Sequence, residues 1–152
     1  MKYEHTQPGW PFRISLGITA AGFLAAAAIT PNELLPVSRA ILVGAALLTA
    51  LLGWMWGALT IRVGHGLLRW QFGLGWPRKS VQLDRIASVE TTRTTFWDGW
   101  GVHRTRRGWL YNVAGRDAVL IRQHDGKAFL LGTDEPRKLK AALERAMGQA
   151  RH

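Results

Sequence analysis

Two long apolar segments that contain no charged residue constrain this chain more than any other feature. Neither Ile14–Ile29 nor Ala40–Ile61 contains an Asp, Glu, Lys or Arg. A helix needs about 20 consecutive apolar residues to cross the hydrocarbon core of a bilayer. We therefore predict two membrane-spanning helices, at about residues 12–30 and 37–59.

A short connection separates the two predicted spans. It reads Pro31-Asn32-Glu33-Leu34-Leu35-Pro36, and two prolines with an Asn in six residues are typical of a tight turn. The alternative is a cleaved signal peptide over residues 1–30, with Ala26-Ala27-Ala28 as its small-residue cleavage site. The long polar leader and the full second span that follows at once favour a helical hairpin.

Basic residues are distributed unequally between the two ends of this predicted hairpin. The connecting side carries Arg39 alone, and Lys2 and Arg13 lie on the other side before or early in the first span. The same side carries four more cations after the second span: Arg62, Arg69, Arg78 and Lys79. Cytoplasmic flanks of membrane helices are enriched in Lys and Arg. We expect a multi-pass membrane protein with both termini in the cytoplasm.

Small residues recur at helical spacing in both spans. The second span contains Ala46, Ala50, Gly53 and Gly57, and the first contains Gly17, Ala21, Ala25 and Ala28. Small residues allow helix backbones to approach closely in lipid. Two interpretations follow: the two stripes pack on each other within one chain, or Gly53 and Gly57 mediate a homodimer.

The chain changes to a period of two after the second span. Alternating apolar residues and turn signals predict about seven short strands between Thr60 and Leu131, and Asp125-Gly126 is a typical hairpin turn. A helix is predicted over residues 134–150, with Leu139 and Leu143 on its apolar face. One amphipathic helix cannot bury its own stripe, so we expect it to cover the sheet.

Four short segments give this chain a family resemblance. They are Leu68-Arg69-Trp70-Gln71-Phe72-Gly73, Val81-Gln82-Leu83-Asp84-Arg85-Ile86, Trp100-Gly101 and Leu131-Gly132-Thr133-Asp134-Glu135-Pro136-Arg137-Lys138-Leu139. With the two apolar spans, they resemble bacterial membrane proteins that carry a pleckstrin-homology-like (PH-like) domain. The resemblance implies a fold and a location, and no reaction.

The expected fold class is therefore α+β in two parts. Residues 1–61 would form an N-terminal cytoplasmic tail and the transmembrane hairpin. Residues 60–152 would form a cytoplasmic PH-like antiparallel β-sandwich of about seven strands, capped by the C-terminal helix.

Charge favours anionic partners for the second part. The chain has 20 basic and 10 acidic residues, and 17 of the basic and 8 of the acidic residues lie from Thr60 onward. A basic domain is attracted to anionic lipid, nucleic acid or an acidic protein surface. For a domain tethered to a membrane, the lipid headgroups are the nearest anionic surface.

The sequence contains no recognisable catalytic or metal-binding pattern. It has no cysteine, and its histidines lack the spacing of a helical metal site. The segment Gly73–Ser80 departs from a phosphate-binding loop because Arg78 replaces the second glycine and Pro77 lacks an amide hydrogen. We interpret it as a basic β-turn. We predict no cofactor, no metal and no enzymatic activity.

One predicted loop combines aromatic and basic residues at high density. Its candidate binding residues are Phe96, Trp97, Trp100, His103, Arg104, Arg106 and Arg107. Loops of this composition often carry function. In the structural alternative, a tryptophan fills the mouth of the sandwich and the arginines pair with Asp98 and Asp117.

The functional hypothesis is a membrane-tethered, non-catalytic binding or scaffold module. Its partner would be anionic phospholipid headgroups or a membrane or cytoplasmic protein. One alternative is an enzyme, or an enzyme subunit, that acts on a lipid-linked substrate. Another is a membrane-bound nucleic-acid binder whose aromatic residues stack on bases; nucleic acid is the least favoured partner.

Overall fold

The computed structural model describes residues 3–31, 36–99 and 101–150, and of Phe96 it describes the backbone alone. Three α-helices and nine β-strands lie within these residues. In chain order they are β1 (Tyr3–Pro8), α1 (Trp10–Ile29), α2 (Pro36–Met55), β2 (Ala58–Gly64), β3 (Leu67–Phe72), β4 (Arg78–Gln82), β5 (Ile86–Arg93), β6 (Gly101–Thr105), β7 (Gly108–Asn112), β8 (Asp117–Gln123), β9 (Ala128–Gly132) and α3 (Pro136–Ala150).

The two helices α1 and α2 pack together as a helical hairpin. Both are long and apolar enough to cross a bilayer, and only 11% of the most apolar window of each is buried. Arg39 in the first turn of α2 donates a hydrogen bond from Nε to the carbonyl oxygen of Ala27, near the end of α1. A cation in this position stabilises the C-terminal end of a helix.

Small residues form the contact between these helices, as predicted, but α1 uses a different face. Ala20 and Ala27 are buried, whereas the predicted stripe on α1 (Gly17, Ala21, Ala25 and Ala28) is exposed. Spacing alone does not decide which of several small faces meets the partner helix. On α2, a Cβ placed on Gly53 would lie 3.2 Å from Cβ of Leu16. Gly53 therefore contacts α1 within the same chain.

The N-terminal segment, predicted to be a tail, forms strand β1. It pairs antiparallel with β2, with Tyr3 opposite Val63 and Pro8 opposite Ala58. The amide of Gly9 donates to the carbonyl of Gly57 over 2.8 Å. The chain thus leaves the sheet through α1 and returns through α2 to the adjacent strand. The second helix ends at Met55 rather than near residue 59 because β2 begins at Ala58.

The strands form two sheets. Sheet A has the order β1-β2-β3-β4, and sheet B has the order β5-β8-β9-β7-β6. The seven predicted strands are present, and β1 and β6 are additional. Sheet B is also mixed rather than purely antiparallel, because β9 inserts between β8 and β7 and runs parallel to β7.

The main core lies between the sheets and α3. Its largest fully buried side chains include Leu59, Ile61, Leu68, Phe72, Ile86, Ile121, Leu131, Leu139 and Leu143. The prediction that Leu139 and Leu143 anchor the C-terminal helix is confirmed. A smaller cluster of Leu110, Ala118, Leu120 and Leu130 alternates with the core residues of sheet B and so lies on its other face.

Candidate functional site

The β3–β4 loop, Gly73–Pro77, lies directly against the end of the helical hairpin. The amide of Gly73 donates to the carbonyl of Ala58 over 3.0 Å. A Cβ on Gly73 would lie 2.5 Å from the carbonyl oxygen of Trp54 and 2.6 Å from that of Met55. Only glycine allows this approach to the last turn of α2, so the loop is held at the helix end.

Large apolar side chains are exposed around this point. In the β3–β4 loop, Leu74 is 49% exposed and Trp76 is 66% exposed. Trp10 at the start of α1 and Trp54 near the end of α2 are also exposed. Indole rings favour the interface between headgroups and hydrocarbon. The four side chains therefore form an apolar girdle where the helical hairpin meets the β domain.

A basic groove runs along the outer face of sheet A beside this girdle. We name it the outer groove; its volume is about 510 Å³, and its lining includes Arg62, Arg69, Arg78 and Lys79 but no carboxylate. Arg62 forms an ion pair with Glu4 at 2.8 Å. Arg69 and Arg78 form no ion pair with any residue that the structure describes.

A second opening lies between β4 and the strands β7 and β9. We name it the edge cleft; its volume is about 490 Å³. Its aromatic floor is Trp70 stacked on Phe129 at 4.9 Å between ring centroids, with Tyr111 edge-on to Trp70 at 5.2 Å. Lys79 Nζ lies 5.9 Å from the Tyr111 ring centroid, a distance that permits a cation–π contact.

The rim of the edge cleft is basic. Besides Lys79, its lining includes Arg104 and Lys127, and it contains no carboxylate. Lys127 also pairs with Asp125 in the adjacent turn, at 3.2 Å. Trp109 lines the cleft and is about half exposed. The cleft therefore combines apolar surface with cations, which suits a ligand that is both extended and acidic.

The structure separates the members of the predicted aromatic–arginine loop. Trp97 lies in a short 3₁₀ turn, Phe96–Asp98, and is 92% exposed, so it does not fill the mouth of the sandwich. Trp100 and the side chain of Phe96 lie outside the described residues. His103 is part of β6 and is half-buried, and no hydrogen-bond partner of its Nε2 is described.

The three arginines of that segment occupy different surroundings. Arg104 lines the edge cleft, and Arg106 is exposed in the turn between β6 and β7. Arg107 donates to Thr92 Oγ1 at 2.7 Å and to the carbonyl of Arg93 at 3.1 Å. Arg107 thus connects the β6–β7 turn to β5 at the opposite edge of sheet B. This arrangement gives Arg107 a structural role.

The turn that carries Trp97 is stabilised by Asp98. Its Oδ2 accepts hydrogen bonds from the backbone amide of Thr95 at 2.7 Å and from the Thr95 hydroxyl at 2.9 Å. These bonds, with the nearby positive charge of Arg107, lower the pKa of Asp98. Asp98 therefore stays charged in this turn. The predicted pairing with Asp117 is instead made by Arg93, at 3.1 Å.

A polar contact joins β1 to the start of α3. His5 Nε2 lies 2.5 Å from Asp134 Oδ1, and His5 Nδ1 lies 3.5 Å from Glu135. Burial, reinforced by these two carboxylates, raises the pKa of the neighbouring Tyr3 to about 12. No cluster of three or more potential metal ligands occurs among the residues that the structure describes.

Sequence reasoning missed the contact between the β3–β4 loop and the last turn of α2. It treated Gly73–Ser80 as a basic turn, which is correct locally, since β4 begins at Arg78. The contact of that turn with α2 could not be read from the local pattern. The available signal was the pair of large apolar residues Leu74 and Trp76 on either side of Gly75, shortly before Arg78 and Lys79.

No protein-family model matches this chain, and no curated protein is similar to it. We therefore infer the function from the geometry of these surfaces.

Proposed function

We propose that this protein is a membrane-tethered, non-catalytic binding module whose β domain docks on anionic lipid headgroups. The observation that carries the proposal is the position of the β3–β4 loop. It contacts the last turn of α2, exposes Leu74 and Trp76, and leads directly into Arg78. If the helical hairpin spans a bilayer, this loop lies at the level of the headgroups.

The outer groove continues this surface away from the bilayer. Arg78 is opposite Gln71, and Arg69 is opposite Ser80, two residues further along β4. Two residues of strand correspond to about 7 Å, which is within a Debye length at physiological salt. Cations near an anionic membrane contribute about 1 kcal/mol each. Arg69, Arg78 and Lys79 together would contribute about 3 kcal/mol, enough to orient a domain that is already tethered.

The proposed location is a bacterial-type inner membrane, with both termini in the cytoplasm. The pairing of β1 with β2 supports a common side for both ends of the hairpin, and the excess of Lys and Arg at those ends supports the cytoplasmic side. On whole cells, an impermeant thiol reagent should label a cysteine replacing Glu33 and not one replacing Gly126. Labelling of position 126 alone would show that the orientation is the opposite of the one proposed.

We also propose that the β domain is PH-like. The order of the strands after α2, followed by a C-terminal helix packed on the core, supports this relationship. The additional strands β1 and β6 and the parallel β7–β9 pair would then be elaborations of the PH-like plan.

The test of headgroup docking places a nitroxide label on the β3–β4 loop. The chain has no cysteine, so Leu74→Cys gives a single labelling position and leaves Trp76 in place. The full-length protein is reconstituted in bilayers of phosphatidylcholine, with or without phosphatidylglycerol. We expect lipid-soluble oxygen to accelerate the spin relaxation of the label more than an aqueous nickel complex does. This preference for oxygen should be larger in the bilayers that contain the anionic lipid.

Two controls identify the source of this effect. The double change Arg69→Gln with Arg78→Gln should remove the difference between the two lipids. The matched double change Arg85→Gln with Arg137→Gln removes the same charge outside the outer groove and should preserve it. A label at position 74 that is as accessible to the nickel complex as one at position 126 would refute docking. Displacement by oligonucleotide but not by anionic vesicles would favour the nucleic-acid alternative.

A further inference from the structure

Strand β4 is an edge strand whose unpaired backbone groups can be assigned. The amide of Phe72 donates to the carbonyl of Pro77, and the amide of Leu83 donates to the carbonyl of Gly66. Antiparallel pairs alternate between hydrogen-bonded and non-hydrogen-bonded positions. Between these two bonds, Lys79 and Val81 therefore bond to β3. The N–H and C=O groups of Arg78 and Ser80, and the N–H of Gln82, point away from the sheet.

The other sheet extends beyond this edge. On sheet B, Arg104 is opposite Trp109, and Trp109 is opposite Phe129, so all three share the face that meets sheet A. Phe129 is covered by Trp70, whereas Trp109 is half exposed and Arg104 is exposed. Sheet A thus ends one strand short of covering this part of sheet B, and the edge cleft occupies the missing position.

The charge of the cleft selects among possible strands. Lys79, Arg104 and Lys127 line it without any carboxylate. Trp70, whose indole N–H has no described hydrogen-bond acceptor, belongs to the floor. Like charges that face each other across a strand pair are destabilising, and opposite charges are stabilising. An added strand must therefore present acidic side chains to the rim and an apolar side chain to Trp109.

We propose that β4 and the edge cleft bind an extended acidic segment of a partner protein, which adds to sheet A as a fifth strand. Addition of a strand to an exposed sheet edge uses backbone hydrogen bonds for affinity and alternate side chains for specificity. The free groups of Ser80 supply the central backbone contacts. Arg104 and Lys127 select carboxylates, and Trp109 packs on an apolar residue between them. This inference does not depend on docking to headgroups.

The experiment uses the full-length protein in nanodiscs of neutral phosphatidylcholine, so that anionic lipid does not compete. A display library of random eight-residue peptides is selected on it, and the recovered sequences are synthesised with a fluorophore. Because only every second side chain of an added strand faces the cleft, we expect an apolar residue with Asp or Glu two positions away on each side. No enrichment, or enrichment without acidic residues, would overturn the proposal.

Variants of β4 then separate strand addition from simple charge attraction. Ser80→Pro removes an N–H at the free edge without removing a bond to β3, as is tolerated on edge strands. It should weaken peptide binding about tenfold, because the peptide loses the hydrogen bond that it accepts from the N–H of residue 80. Ser80→Ala keeps the N–H and should bind within about twofold of the parent. Equal affinity of the proline and alanine variants would refute strand addition.

A complementary measurement leaves β4 unchanged. The selected peptide is N-methylated at alternate amides, in two peptides of opposite register. One register should lose about tenfold in affinity, because its methyl groups replace the hydrogens that face β4, and the other should bind normally. This result would be informative even if Ser80→Pro did not fold. Arg104→Glu should weaken the acidic peptide and leave the lipid dependence at position 74 unchanged, which separates this inference from headgroup docking.

Discussion

The helical hairpin and the β domain place their apolar residues in opposite ways. In the hairpin the buried residues are small, such as Ala46 at 2% exposure, whereas Leu47 beside it is 68% exposed. In the β domain large side chains are buried completely, and Leu143 has no exposed surface. Exposed leucines and isoleucines along both faces of a hairpin are costly in water and favourable in hydrocarbon. The hairpin therefore exposes a surface that suits hydrocarbon, and the β domain buries its large apolar side chains as a domain in water does.

Excision of the hairpin tests this difference most strongly. Pro8 lies opposite Ala58 in the β1–β2 pair, so an Asn-Gly turn can replace residues 9–57 and join the two strands directly. We expect the resulting protein to move from the membrane fraction to the soluble fraction and to unfold cooperatively on heating. Fractionation and far-UV circular dichroism measure the two properties.

A shorter protein provides the comparison for that experiment. Residues 58–152 alone lack β1, and with it the hydrogen bond between Thr6 and Thr60 and the contact between His5 and Asp134. The predicted unit 60–152 would in addition lose the first two residues of β2. Both should be less stable than the protein with the turn. Equal melting temperatures would show that β1 contributes nothing to the domain.

The same substitution in each region should have unequal effects. Leu143→Ala removes a fully buried side chain between α3 and the sheets, and buried Leu-to-Ala changes cost about 2–5 kcal/mol. That is a large share of the 5–15 kcal/mol, roughly, that a small domain possesses. Leu47→Ala on the exposed face of α2 should leave thermal unfolding in detergent nearly unchanged. A larger loss for Leu47→Ala would mean that this face is covered in the native protein.

The smallest expected effect lies inside the hairpin. Gly53→Leu forces a side chain against Leu16, and overpacking of this kind typically costs about 1–3 kcal/mol. Gly44→Leu is the matched control, since a Cβ there meets no atom within 4 Å. Thermal unfolding in detergent should therefore distinguish the two variants. Loss of a cross-linked dimer without loss of stability in Gly53→Leu would instead support the homodimer interpretation.

Much of the fold could be predicted from local sequence patterns, because the length and type of a helix or strand depend largely on the residues within it. The absence of charge marked both helices, and alternation of apolar residues marked seven strands near their observed limits. Strand β1 was not predicted because its inward positions are the half-buried Tyr3 and His5 and the buried Gln7, which form no apolar alternation. Strand β6 was not predicted because it lies in a segment rich in glycine and arginine, which shows no alternation of apolar residues. Both strands are stabilised chiefly by their partners.

The candidate site was less accessible to sequence reasoning. The segment around Arg104 was correctly marked as unusual, yet its arginines serve different surfaces, because Arg107 reaches across to Thr92 on β5. Proximity in sequence therefore did not mean a common site. Conversely, Lys79 and Arg104 are distant in sequence and line one cleft.

By itself, the sequence determined that two helices long and apolar enough to cross a bilayer precede a β domain, because charge and apolar spacing act through transfer free energies that need no partner. It also determined the basic character of the β domain. Only the tertiary structure decided which turn meets the end of α2, which face of α1 packs, and which backbone groups of β4 stay unpaired. Those outcomes depend on strand order and register, and both are fixed by contacts between residues far apart in the chain.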